Sequence, residues 1–210
     1  NPMIMAGVIF FFRNTRALTT FAIFSALPAI YFAMSGSDYT SVASYVFFGS
    51  ELVVDETTRL FLLLAGILWF LAVLYTKYYM PKDPRQSSFS IFMLIAMSGC
   101  FGLTLSQDAF GFITFFTLMS LSSFALVIHQ LSDEARAAAK SYILWVIIGE
   151  VLLFTGFCLL NWYSELFDNT DFAWVTSLIL ILGFGSKVGL FGMHWWLPKA
   201  HPVAPVPASA

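Results

Sequence analysis

Two ionisable residues, Glu150 and Lys187, stand inside stretches otherwise apolar enough to cross a membrane, residues 141 to 164 and 172 to 198. An acid and a base held away from water can pair or exchange a proton, because each one's charge depends on the other and on the water that reaches them. A charge near the bilayer centre costs about 2.5 to 3.5 kcal/mol on insertion scales, which makes an intramembrane ionisable group a functional candidate with a partner to be named. Glu150 lies nine residues past Ser141, about 14 Å into its helix, and Lys187 lies eleven residues before Pro198, about 16 Å from the same side. The two therefore share a depth near the midplane on consecutive helices, and an ion pair or a water-bridged pair between them is geometrically reasonable. A static pair that only locks two helices together is the alternative use of the same residues.

Glycines surround the lysine. Gly183, Gly185, Gly189 and Gly192 weaken the helix at the depth of the charge, so the last span is expected to break there. Irregular backbone is tolerated at membrane depth only where protein or water covers it, which is why interrupted helices mark ion paths in transporters. Close helix packing through small residues would explain the glycines but not the lysine.

The elements that must position these groups follow from composition. With 59% hydrophobic and 10% charged residues and a mean hydropathy of +0.82, the chain has far less charge than a soluble domain and reads as an integral membrane protein. A net charge of -2 is too small to suggest nucleic acid or an acidic ligand. Cys100 and Cys158 sit in apolar spans with no CxxC and no Cys/His cluster, and they read as small packing residues.

Charges divide the chain into six full transmembrane helices, at 17–37, 59–80, 87–107, 109–130, 140–164 and 172–198, with the last broken near Lys187. Residues 3–12, "MIMAGVIFFF", are too short to cross and read as the exit of a partial helix ending at Arg13. The expected fold is all-α and polytopic. Arg13 and Arg16, then Lys77, Lys82 and Arg85, then Arg136 and Lys140 fall in alternate loops, while the intervening loops hold only Arg59. The positive-inside rule puts the first group, and with it Lys199, on the cytoplasmic side. Within the outer loop 38–58, "SVASYVFFGSELVVD" predicts a short hairpin with a Gly-Ser turn between two β-rich runs.

Cofactor motifs are absent from this pattern. "GFGSKVG" has neither the spacing of a dinucleotide fingerprint nor that of a phosphate loop, and no strand precedes it. His129, His194 and His201 do not form a spaced pair on transmembrane helices for haem. Neither a cofactor nor a metal is expected.

The terminal stretch "SKVGLFGMHWWLPKAHPVAPVPASA" resembles the K-[AS]-[AG]-x-x-P-x-H-x-W-L-P-x-A-H-P-x-A-P-x-P-x-S-A signature of antiporter-like subunits. That family is shared by respiratory complex I, membrane-bound hydrogenases and multisubunit sodium/proton antiporters. "VVDETTRLFLLL" is similar to its V-D-x-x-S-x-L-F entry, and "RAAAKSYILWVIIGE" to its A-x-K-Y segment followed by a mid-helix acid. The resemblance implies two inverted repeats, each with a proton-translocating lysine on a broken helix, and Lys187 matches the first. On this reading residues 1–210 are the first half of such a subunit, whose second half is absent.

Three positions depart from the family pattern. Gly192 stands where a proline is usual and Lys199 where an acid is usual. Phe116 and Thr117 replace the Trp-Glu that precedes M-S-L, and that glutamate partners the lysine, which leaves Glu150 as the intramembrane acid of this half. His194, Lys199, His201 and Thr117 are accessory candidates.

The resemblance implies a proton-translocating, non-redox membrane subunit of an NADH:quinone oxidoreductase or hydrogenase complex in the cell inner membrane or another energy-transducing membrane. Its expected partners are other membrane subunits, the lipid bilayer and protons or sodium ions. A subunit of a sodium/proton antiporter or inorganic-carbon uptake complex, and a non-conducting scaffold subunit with the same fold, are the alternatives.

Overall fold

The structure, a computed structural model, describes residues 2–12, 22–42, 50–81, 83–166 and 173–209. Arg13, Arg16 and Lys82, on which part of the loop charge count rests, lie outside the described residues. The chain is mostly helical and divides into two compact units, residues 1–129 with 205–210, and residues 130–204.

The first unit holds α1 (Pro2–Phe12), α2 (Leu27–Met34) entered through a 3-10 turn at Ala22–Ala26, the strands β1 (Tyr39–Val42) and β2 (Glu51–Val54), α3 (Glu56–Tyr79), α4 (Gln86–Leu105), α5 (Ala109–Val127) and the short α9 (Val206–Ser209). Phe89, Leu94 and Met97 on α4 are fully buried and form its centre. Small residues let the helices approach. A side chain on Gly99 would meet the backbone of Met119, and one on Gly102 would overlap the Phe115 ring, so α4 and α5 pack closely along that seam. Leu60, Leu64, Leu68 and Leu71 on α3 are exposed, which suits a face turned to lipid or to another apolar surface. Hydroxyls within these helices are satisfied locally: Thr76, Ser98 and Thr104 each donate to the carbonyl four residues earlier, at 2.8, 2.8 and 2.9 Å.

Two aspartates start helices. Asp55 accepts from the Thr58 N–H at 2.7 Å and caps α3. Asp108 accepts from the Gly111 N–H at 2.7 Å and caps α5, and the same carboxylate takes the Glu51 N–H at 3.2 Å and the Ser50 hydroxyl at 3.3 Å. The β-hairpin is thereby fastened to the α4–α5 connection. Its register pairs Tyr39 with Val54 and Val42 with Glu51, so a two-residue turn at Gly49-Ser50 does not close it. The first strand begins at Tyr39, ahead of the run read from the sequence, and the connecting residues 43–49 lie outside those described. Arg59 bonds Asp38 at 3.0 Å beside this strand pair.

The second unit holds α6 (Asp133–Leu166), α7 (Ala173–Val188), a 3-10 turn at His194–Trp196 and α8 (Leu197–Val203). Charges predicted a start for α6 at 140, but the helix begins at Asp133. Ala135, Ala138, Ala139, Tyr142, Val146 and Leu153 form a buried stripe at helical spacing that runs through the charged segment, so Asp133, Glu134, Arg136 and Lys140 lie off the buried face of a continuous helix. Ser132 caps the start, accepting from the Ala135 N–H at 3.1 Å, and the two acids in the first turn suit the helix dipole.

Among the described residues, four helices are long and apolar enough to cross a membrane: Glu56–Tyr79, Gln86–Leu105, Ala109–Gln130 and Asp133–Asn161. Pro2–Phe11, Ala22–Met34 and Ala173–Val188 are apolar but shorter. The protein is thus a multi-pass membrane protein.

Candidate functional site

The second unit is built around the seam between α6 and α7. A side chain on Gly149 would overlap Ser186 Oγ, one on Gly156 would overlap Leu180, and one on Gly183 would overlap Leu153. Rising numbers on α6 meet falling numbers on α7, so the helices run antiparallel with backbones in close approach. This spacing presents Lys187 to α6.

Lys187 is the next-to-last residue of α7. Gly189, with φ +77°, takes the left-handed conformation that lets the helix stop, and Gly192, with φ +89°, repeats it in the connecting turn. The N–H groups of Gly189 and Leu190 both donate to the Gly185 carbonyl at 2.9 Å, and Leu190 packs where a side chain on Gly185 would stand. The bond from Leu190 is the 6→1 bond of a Schellman ending and that from Gly189 the 5→1 bond of an αL ending. Trp196, from the 3-10 turn past the break, donates its Nε1–H to the Ser186 carbonyl at 2.9 Å. Two of the four carbonyls left over at the helix end are thereby occupied. The ammonium of Lys187 lies in the last turn, where the dipole of α7 favours a cation.

The four glycines singled out in the sequence thus divide in two. Gly189 and Gly192 make the break, while Gly183 and Gly185 remain helical and buried because a side chain has no room there.

The Lys187 ammonium donates to the Tyr142 hydroxyl at 2.8 Å. Its nitrogen is 5.2 Å from the ring centroid, so it meets the oxygen and not the ring face. Tyr142 is buried on α6, and its ring meets Trp196 edge to face at 5.1 Å and 71°. Glu150 is half-buried farther along α6, with Oε1 out of reach of solvent. The eight residues between Tyr142 and Glu150 amount to about 12 Å of helix. The lysine therefore has a hydroxyl toward one end of α6 and a carboxylate toward the other.

The remaining candidates are placed differently. His194 opens the 3-10 turn, half-buried between the roughly parallel rings of Phe191 at 6.0 Å and Trp195 at 6.2 Å. Lys199 and His201 are exposed on α8. Thr117 is half-buried on α5 in the first unit. Among the described residues, no group of three or more His, Cys, Asp and Glu is placed to hold a metal ion. Tyr142 escaped the sequence reading, which met Trp196 only as the tryptophan of the terminal signature. A hydroxyl on an aromatic ring in an apolar helix carries no charge, and a search keyed to charge passes over it.

Residues 106–210 match the family described as NADH:quinone oxidoreductase/Mrp antiporter, TM. The chain is 32% identical over 168 residues to Hydrogenase-4 component B of Escherichia coli (strain K12), across 75% of this chain and 25% of that protein. It is 29% identical over 171 residues to a Na(+)/H(+) antiporter subunit of Alkalihalophilus pseudofirmus, across 75% of this chain and 21% of that protein. In fold it is similar to a chain of the membrane-bound sulfane sulfur reductase, an archaeal respiratory membrane complex, with a TM-score of 0.82 at 21% identity, over 99% of this chain and 47% of that one. The chain spans about a quarter of the length of these curated relatives. A family match over half the chain, carried on the segment that contains the broken helix and Lys187, leads to one conclusion: this chain belongs to the antiporter-like membrane subunits of the NADH:quinone oxidoreductase and Mrp antiporter family.

Proposed function

We propose that this chain is part of a proton-translocating subunit of a redox-driven membrane complex, of the NADH:quinone oxidoreductase or membrane-bound hydrogenase type, with Lys187 and Glu150 as its relay. The observation that carries the reading is an ammonium in the last turn of an interrupted apolar helix, with a hydroxyl and a carboxylate arrayed along the neighbouring helix. Charges interact more strongly in such a medium than in water, so proton binding at Lys187 responds to the state of Glu150 and to water entering at the break. Lys187 alternates between a charged form held by its partners on α6 and a neutral form that has passed its proton on. The energy comes from chemistry in other subunits, and this chain supplies no redox group.

The partners on this reading are other membrane subunits, the bilayer and protons. The membrane is an energy-transducing one, such as the cell inner membrane, with the positive loops on the cytoplasmic side. The likeness to the Na(+)/H(+) antiporter protein of Alkalihalophilus pseudofirmus favours a second reading, exchange of sodium for protons with the same residues.

Reconstitution of the intact complex in liposomes with an internal pH dye tests both. A redox complex acidifies or alkalinises the lumen when electron donor and acceptor are supplied and ignores a sodium gradient. An exchanger responds to the sodium gradient alone, and that result would overturn the first reading.

A further inference from the structure

We infer that Tyr142 is the positioning residue of Lys187, holding its nitrogen in both protonation states while Glu150 holds the charged state alone. The inference rests on the reading of Lys187 as a relay and adds a residue to it. Its basis is the donor and acceptor inventory of the groups in contact. A lysine ammonium can only donate, and a carboxylate can only accept, so their bond disappears when the lysine gives up its proton. A phenol does both. Facing the ammonium, the Tyr142 oxygen accepts, as it does at 2.8 Å here. Facing the neutral amine, the same hydroxyl turns its own hydrogen onto the nitrogen lone pair, and the two heavy atoms need not move.

The surroundings fit a positioning role. Tyr142 is 3% exposed, so its ring does not wander, and Trp196 closes on the ring edge while its indole N–H is anchored on the carbonyl of Ser186, the residue before Lys187. The segment past the helix break thus touches the Tyr142 ring and the backbone one residue before Lys187. The titratable groups on the elements that meet at this end are Tyr142 and Glu150 on α6 and His194 on the turn past the break. Lys199 and His201 stay exposed on α8.

Tyr142→Phe in the complete complex is the test, because it deletes one oxygen and keeps the ring against Trp196. Assembly, judged by native gel, should be normal. Translocation should fall about tenfold, the scale of one lost hydrogen bond to a charged group. The alkaline limb of its pH profile should move to lower pH by less than about one unit, since both forms lose a bond and the charge-assisted bond to the ammonium is the stronger. In a Lys187→Ala background the Tyr142→Phe change should add nothing. An unchanged rate and pH profile in Tyr142→Phe, with Lys187→Ala inactive, would overturn the inference and leave the relay standing. Full translocation in Lys187→Ala would overturn the relay itself. Failure of Tyr142→Phe to assemble would assign the hydroxyl to stability and also overturn the inference.

Discussion

Gly149 on α6 faces Ser186 on α7 so closely that a methyl group in place of the glycine hydrogen would overlap the serine hydroxyl. Ser186 cannot yield freely, because it is buried and donates to the Gly183 carbonyl at 2.8 Å. The residue that follows it is Lys187, so the spacing of the two helices sets the reach of the lysine toward α6.

Gly149→Ala should therefore destabilise the helix pair by about 1 to 3 kcal/mol, the range for overpacking a close contact, and lower translocation with it. Ser186→Ala removes the overlapping oxygen, so the double change should recover much of the loss. Thermal stability of the purified complex checks this, and a double variant as weak as Gly149→Ala would show that the contact is elsewhere.

Asp83 and His129 join the start of α4 to the end of α5, with His129 Nε2 3.1 Å from Asp83 Oδ2. Asp83 also accepts from the Arg85 N–H at 2.7 Å. Burial acts to raise the Asp83 carboxyl, but the bonds from Arg85 and His129 outweigh it and hold the group below its ordinary 3.8. A carboxylate depressed by folding contributes stability that is full above its ordinary value and is lost as pH falls through the lowered one. Hydrogen exchange at the Arg85 and Gln86 amides, corrected for intrinsic rates, should stay slow from neutral pH down to about 4 and then quicken. In Asp83→Asn the same amides should exchange faster at neutral pH with little further change on acidification. Identical profiles in the two proteins would remove Asp83 from this role.

The loop charges predict an orientation that labelling can test. With Cys100 and Cys158 replaced by alanine, a cysteine at Ser37 should react with an impermeant thiol reagent added to intact cells, and one at Glu134 only after the membrane is opened. The opposite pattern would invert the topology and put Lys199 on the outer face.

A mostly helical, multi-pass chain was legible because charges interrupt apolar runs, and the glycines crowding one lysine pointed to the break that Gly189 and Gly192 make. Other features were not. The run of charges between Asp133 and Lys140 reads as a loop, yet Ala135, Ala138 and Ala139 carry the helix through it on the opposite face. Counting eleven residues from Lys187 to Pro198 as uniform helix overstates the climb, since the left-handed Gly189 and Gly192 and a 3-10 turn intervene. Which glycines break the helix and which merely admit a neighbour depends on where Leu153 and Leu190 lie, a tertiary fact that spacing does not contain. Thr117 was legible only as a departure from the family pattern.

The central claim is that Lys187 and Glu150 act as one relay, and the most direct measurement of it is proton translocation per turnover in four reconstituted complexes: unaltered, Lys187→Ala, Glu150→Gln and the double variant. Each single change should cut translocation at least about tenfold with assembly intact, and the double change should cost little more than either, because residues that act as a unit are not additive. A pair that only clamps the helices would behave otherwise: the single variants would lose stability by leaving a buried charge, and replacing both residues by apolar ones would restore a complex that translocates protons at the unaltered rate. That restored transport would contradict the relay.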